Sequence, residues 1–272
     1  MDFAHFSLNG KLVPIGQAAM PLSNIEYQYG FGVYESLRAS GGTVHFLADH
    51  CERLMESARI IGLEHPFTAS FVKEAVTVLA KDAGPGAYNL KMLLIGGPTK
   101  ESASLYVFCL NPLFPDKKLY KEGAKFVTYE YERAFPHAKT LNMLQSYLAY
   151  REAKRAGAFD ALLVNKAGCI TEGTRTNFFC LKGDAIVTPP EEEILLGVTR
   201  KNVLAVAREN GFSLAERDIR PSDLSRYDGA FITATSAKII PVRSVDGHTF
   251  TEIPATLRRL TELFDSFLEK HS

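Results

Sequence analysis

Strand and helix patterns are mixed along this chain without a regular alternation, and that irregularity constrains the fold more than any other feature. A doubly wound parallel sheet needs strand and helix in steady succession, so two α+β domains are expected instead. The first ten residues alternate and turn at "NG", with "KLVPI" as the return strand of a hairpin. Residues 29 to 38, within "EYQYGFGVYESLRAS", read as a strand, "SGG" as a turn and "TVHF" as its partner. "LADHCERLMESARIIG" carries Leu47, Cys51, Leu54 and Ala58 at helical spacing and ends at Gly62. A second helix is expected across "TASFVKEAVTVLAKDAG", capped by Thr68 or Ser70, followed by two apolar strands, "YNLKMLLIG" and "SLYVFCL".

"NPLFPDKKLYKEG", with its two prolines and its lysines, is the linker candidate. It divides the chain into an N-terminal α+β domain over 1–113, a linker over 114–121 and a C-terminal α+β domain over 122–272. Beyond it, "TLNMLQSYLAYREAKRAG", "VTRKNVLAVARENG" and "ATLRRLTELFDSFLEKH" read as helices. "AKFVTYEY", "ALLVN", "CIT", "TNFFCL", "AIVTP", "FSLAERDI", "GAFITAT" and "AKIIPVRSVDG" read as strands.

Lys plus Arg and Asp plus Glu both number 31, leaving no excess positive charge for a nucleic-acid backbone or an anionic membrane. No segment approaches the roughly 20 apolar residues of a membrane span, and no basic stretch followed by an apolar run opens the chain. A small-molecule partner and a cytoplasmic location are expected. Cys51, Cys109, Cys169 and Cys180 show neither CxxC spacing nor zinc-type histidines, so they read as buried small hydrophobes in a reducing compartment, with no metal.

Alternation along the strand at 29–38 puts Tyr29, Phe31, Val33, Glu35 and Leu37 on one face, and Gly30, Gly32, Tyr34, Ser36 and Arg38 on the other. The second face suits either a tight sheet corner or the close approach of a ligand or another backbone.

"YGFGVYESLR", "HCERL", "KTLN", "ITEGTRTNFF", "GVTR" and "TSAKIIPV" follow one another in an order and at spacings that resemble the fold type IV pyridoxal-phosphate enzymes. These are the class IV aminotransferases, a group that includes branched-chain and D-amino-acid aminotransferases and aminodeoxychorismate lyase. The resemblance implies two α+β domains in a D-amino-acid-aminotransferase-like fold, with the cofactor between them. It also implies a homodimer whose partner subunit helps to shape the active site.

Pyridoxal 5′-phosphate needs a lysine amine, a carboxylate that keeps its pyridine nitrogen protonated, and an anion cradle for its phosphate. By resemblance Lys139 is the Schiff-base lysine, and its freed amine moves the proton between Cα and the cofactor's C4′ carbon. Glu172 matches the pyridinium partner. Arg53, the helix start at Val198 and Thr199, and Thr235 match phosphate-binding positions. Read without the family, the same residues fit a solvated lysine, a turn glutamate, a surface arginine and a strand-end threonine.

The substrate signals are mixed. "KTLNML", with Leu144, is closer to the D-amino-acid and lyase pattern, whereas "YESLR" and "IIPVRSVDG" look like the branched-chain group. Tyr34, Ser36, Arg38, Lys91, Arg175, Ser236 and Lys238 fall at positions that border the substrate by resemblance. Two cations facing the pocket suit a dicarboxylate such as glutamate, 2-oxoglutarate or aminodeoxychorismate, while Lys91 or Lys238 pointing to solvent is the plain alternative. The expected activity moves an amino group between an amino acid, branched-chain or D, and a 2-oxo acid. The rivals are a lyase releasing pyruvate and 4-aminobenzoate, and a non-catalytic binding protein on the same fold.

Overall fold

Asn9 and Gly10 take φ of 49° and 80°, the two left-handed conformations that a two-residue hairpin turn demands. They join β1 (His5–Leu8) to β2 (Lys11–Pro14), and Pro14 is tolerated because β2 lies at a sheet edge. This computed structural model describes residues 2–112 and 115–270. Among them the chain divides into two units, one comprising 2–112 with 137–142, the other 115–136 with 143–270.

In the first unit, α1 (Ile25–Gln28) precedes β3 (Gly32–Ser40) and β4 (Thr43–Val44), and α2 (Leu47–Ile60) and α3 (Ala69–Ala83) precede β5 (Tyr88–Ile95) and β6 (Ser104–Leu110). The six strands form an antiparallel sheet in the order β2-β1-β6-β5-β3-β4. Leu54, Val72, Val76 and Leu79 of the helices bury against Val33, Leu37, Leu90 and Leu94 of the sheet. Thr68 caps α3 by accepting the Phe71 N–H at 3.1 Å.

Two expectations change here. The strand expected over 29–38 begins only at Gly32, because Asn24 Oδ1 accepts the Tyr27 N–H at 2.7 Å and starts α1, and Gly30 then turns at φ 70°. Tyr29 and Phe31 therefore lie outside the strand face. Within the expected linker, residue 114 is outside the described residues, and α4 (Lys117–Glu122) forms where Asp116 caps and Gly123 at φ 81° ends it.

The second unit builds β7 (Ala124–Glu130), α5 (Leu144–Arg155), β8 (Asp160–Val164), β9 (Ile170–Gly173), β10 (Asn177–Lys182) and β11 (Ala185–Thr188). It continues through α6 (Val198–Glu209), β12 (Ser213–Glu216), β13 (Gly229–Ala234), β14 (Lys238–Val245), β15 (His248–Thr249) and α7 (Ala255–Lys270). The strand order is β12-β11-β10-β13-β14-β7-β8-β9, and β9 also meets β10 through the pair Glu172 and Asn177. Six strands thus close into a ring, which removes the free edges they would otherwise present.

Neighbouring side chains on the ring strands point to opposite faces. Phe126, Ile170, Phe178, Ile232 and Ile240 share one core, whereas Phe179 and Phe231 stack at 4.6 Å and join Val203, Leu260 and Phe264 from α6 and α7 in another.

Candidate active site

In the first unit, β3 lies antiparallel to β5, with Tyr34 opposite Leu93, Ser36 opposite Lys91 and Arg38 opposite Asn89. Val33, Glu35 and Leu37 are wholly buried on the helix side, so Tyr34, Ser36 and Arg38 occupy the opposite face. Segment 137–142, expected on the second domain, belongs to this unit because its backbone bonds to the start of β3. The Tyr34 N–H donates to the Lys139 carbonyl at 2.9 Å, the Leu141 N–H to the Gly32 carbonyl at 2.8 Å, and Val33 bridges Thr140. The Lys139 N–H donates to Ser57 Oγ of α2 at 3.0 Å.

Gly32 is explained by room. A Cβ there would stand 2.7 Å from Leu141 Cδ1 and 2.9 Å from the Leu94 carbonyl oxygen. The lysine that this packing delivers sits over an aromatic ring: Lys139 Nζ is 4.6 Å from the Tyr34 centroid, and Lys91 Nζ is 5.1 Å from the same centroid. Two amines and one phenol ring thus gather on one sheet face.

On the helix side of β3 lies a buried polar trio. Glu35 accepts Arg53 Nε at 2.6 Å and Nη2 at 2.8 Å, and its Oε2 is 2.7 Å from His50 Nδ1. Burial pushes the Glu35 carboxyl up, but Arg53 and His50 together outweigh it and hold the group well below the usual carboxylate range. Two of Arg53's nitrogens are therefore committed to Glu35.

In the second unit, Glu172 is the penultimate residue of β9 and is buried. Its Oε1 is 2.8 Å from Arg133 Nε, and its Oε2 accepts the Leu195 N–H at 3.2 Å. Arg133 also donates from Nη2 to the Thr174 carbonyl at 3.1 Å, so one guanidinium joins the carboxylate to the following loop. The loop is tied again at Asp160, whose Oδ1 accepts the Thr174 hydroxyl at 2.6 Å. Burial raises the pKa of Asp160 despite that hydrogen bond.

Gly197 opens α6 with no side-chain cap, and Val198 and Thr199 follow, both buried. The first N–H groups of an α-helix lack intrahelical acceptors and favour an anion. Thr235 and Ser236 are half-buried in the turn 235–237 between β13 and β14.

The substrate candidates separate. Tyr34 and Lys91 stand with Lys139, and Ser36 and Arg38 share their sheet face. Lys238 instead donates to Asp265 of α7 at 2.6 Å, and Arg175 is exposed with its guanidinium carbon 4.4 Å from the Tyr150 centroid. Sequence reading missed Arg133, Ser57, Asp160 and the Glu35–His50 contact. Each finds its partner through tertiary structure, and Glu35 alone carried a signal, as a charge on an otherwise apolar strand face.

The family model described as amino-transferase class IV matches residues 32–245. The D-alanine aminotransferase of Bacillus licheniformis is 33% identical over 89% of this chain and 88% of its own length. The branched-chain-amino-acid aminotransferase of Pseudomonas aeruginosa is 29% identical over 88% of this chain and 84% of that protein. The crystal structure of a branched-chain aminotransferase from Thermoproteus uzoniensis with norvaline superposes with a TM-score of 0.89 at 29% identity, covering 98% of this chain and 95% of that one.

Proposed function

The chain belongs to the class IV aminotransferases, which depend on pyridoxal 5′-phosphate, and we propose that it moves an amino group between an aliphatic amino acid and a 2-oxo acid, with a dicarboxylate as one partner. The observation that carries this reading is the pair of amines, Lys139 and Lys91, over one Tyr34 ring.

The residues suit the cofactor. Lys139 offers a half-buried primary amine, Glu172 a carboxylate almost fully withdrawn from water, and α6 a helix start that no side chain caps. Lys139 would hold the carbonyl carbon covalently and Glu172 the pyridine nitrogen. Val198 and Thr199, with Arg53 and Thr235, would hold the phosphate. When bound, the cofactor supplies an electron-withdrawing ring that makes the substrate's Cα–H acidic.

The remaining work falls to side chains. Lys139 Nζ would take the proton from the substrate's Cα and deliver it to the cofactor's C4′ carbon in the first half-reaction, and would carry a proton from C4′ to Cα in the second. Its backbone bonds to Ser57 and Tyr34 restrict where that nitrogen can reach. Arg133 sets its guanidinium 2.8 Å from Glu172 and ties to the Thr174 carbonyl, so it would help to place the carboxylate. Lys91, with Arg38, Ser36 and Tyr34, would meet the substrate side chain, and a lysine there favours a second carboxylate over an aliphatic group.

Leu22, Ile25 and Tyr29 lie exposed in the segment before β3, Leu22 by 94% and Tyr29 by 82%, and a second copy of this chain would cover them. A homodimer is accordingly part of the proposal. Among the described residues no helix is long and apolar enough to cross a membrane, and all four cysteines are free and buried, which supports a reducing compartment such as the cytoplasm.

The test is a panel of L- and D-amino acids added singly to the purified yellow protein. Aminotransfer predicts loss of the visible band with stoichiometric release of the 2-oxo acid, and recovery of the band on adding 2-oxoglutarate. Pyruvate and 4-aminobenzoate released from aminodeoxychorismate, with no transfer from any amino acid, would point to the lyase instead.

A further inference from the structure

Leu195 is gripped from two sides. Its N–H donates to Glu172 Oε2 at 3.2 Å, and its carbonyl accepts Asn177 Nδ2 at 2.7 Å. Asn177 and Glu172 are themselves the register pair at which the strand ring closes. Two residues beyond Leu195, Gly197 opens α6 at φ −64°, a value any residue adopts, so its lack of a side chain is a matter of space. A Cβ on Gly197 would collide with Asn177 Oδ1. One end of the Asn177 carboxamide thus bonds the Leu195 carbonyl, and the other fills the space that a side chain at Gly197 would need.

We propose that Asn177 is a positioning residue that sets the affinity for the cofactor's phosphate by locking loop 195–197 to the Glu172 strand. The proposal rests on the reading of Glu172 and the α6 start given above. Those two elements address opposite ends of one rigid molecule, so their spacing decides whether both can be engaged at once. Asn177 reaches neither end itself. It holds the backbone between them, with 6% of its surface exposed and with Nδ2 bonded to the carbonyl of the equally buried Leu195.

Holoenzymes carrying Asn177→Ala, Asn177→Ser, Gly197→Ala and the last two combined separate this from a general loss of stability. Retention of pyridoxal 5′-phosphate on dilution is compared with retention of pyridoxal, which lacks the phosphate, both read by visible absorbance. Asn177→Ala is expected to weaken retention of the phosphorylated cofactor by about tenfold, the effect of one buried hydrogen bond, and that of pyridoxal by less than about threefold. Gly197→Ala is expected to weaken it similarly in the wild-type background and less beside Asn177→Ser, whose shorter side chain leaves room for the methyl. Equal weakening of both cofactors, or independent effects at positions 177 and 197, overturns the proposal, and the 177/197 comparison decides it even where Asn177→Ala does not fold. A wild type that retains neither cofactor overturns the functional reading as well, whereas a wild type that retains the cofactor while Asn177→Ala does so equally overturns this inference alone.

Discussion

Ser57 Oγ accepts the backbone N–H of Lys139 at 3.0 Å, and the carbonyl of the same lysine accepts the Tyr34 N–H at 2.9 Å. The main chain of Lys139, the proposed Schiff-base residue, is therefore pinned on both sides, and its side chain alone is left to move. Ser57 is itself wholly buried, so no water stands ready to replace its hydroxyl.

Ser57→Ala leaves that N–H without its acceptor, a loss of about 1–3 kcal/mol. Unfolding in urea should register a loss of that size, and kcat should fall while KM for the amino donor stays near its original value. An unchanged kcat would mean that Ser57 only fills space.

The Glu35 trio sets a pH dependence. Arg53 and His50 hold the folded carboxyl below its unfolded value of 4.5. Its contribution is thus full above that value and is lost as pH falls below it. Urea midpoints measured down to about pH 3.5 should drop more steeply for the wild type than for Glu35→Gln. Glu35→Ala, which leaves Arg53 and His50 facing each other without the carboxylate, should cost about 3–5 kcal/mol at neutral pH.

Arg133 makes the 2.8 Å ion pair with Glu172, with 12% and 3% of the two side chains exposed. Removing one member of such a pair strands the other's charge, so Arg133→Met should weaken cofactor retention by about tenfold or more and shift the visible absorbance. Arg133→Lys, which keeps charge but not the fork reaching the Thr174 carbonyl, should fall between the two. A spectrum and affinity identical to wild type in Arg133→Met would remove Arg133 from the site.

Lys91 and Lys238 give opposite expectations. Lys91→Met should raise KM for 2-oxoglutarate by about tenfold or more, the effect of losing a charge-assisted hydrogen bond, and leave KM for an aliphatic 2-oxo acid within about threefold. Lys238→Met should move neither, because its ammonium is engaged by Asp265. Steady-state kinetics on the two acceptors decides, and equal changes for both acceptors in Lys91→Met would refute its role in side-chain choice.

Elements with local punctuation were readable from the chain alone. The turn at Asn9–Gly10, the Thr68 cap and the stop at Gly62 each depend on residues within a few positions of one another. The start of β3 was misread because "YQYGF" has strand-forming aromatics, whereas Asn24 and Gly30 impose a helical turn ahead of it. The "KKLYKE" helix was hidden among prolines that resemble a linker.

Within the proposed site, the residue types assigned chemical roles are legible in the sequence, but the contacts that support them are not. Ser57 lies 82 residues from Lys139, and Arg133 lies 41 from Thr174. No short-range pattern encodes such a pairing, since hydroxyls and guanidinium groups of this kind are common on any surface. The reading of Gly32 did survive in altered form: the close approach is made by Leu141 and the Leu94 carbonyl, both from this chain.

The strand ring has a further consequence for the order of folding. Glu172 and Asn177 meet across the tight loop 174–176, so their pairing closes a very short loop, whereas Val242 pairs with Ala124 from the far side of the same unit's sequence. Closing short loops costs little chain entropy and closing long ones costs more. The hairpin bearing the Glu172 carboxylate can therefore assemble early as a local nucleus, while β7 and β14 complete the ring late. In pulse-labelling hydrogen exchange, amides of β9 and β10 should become protected before those joining β7 to β14.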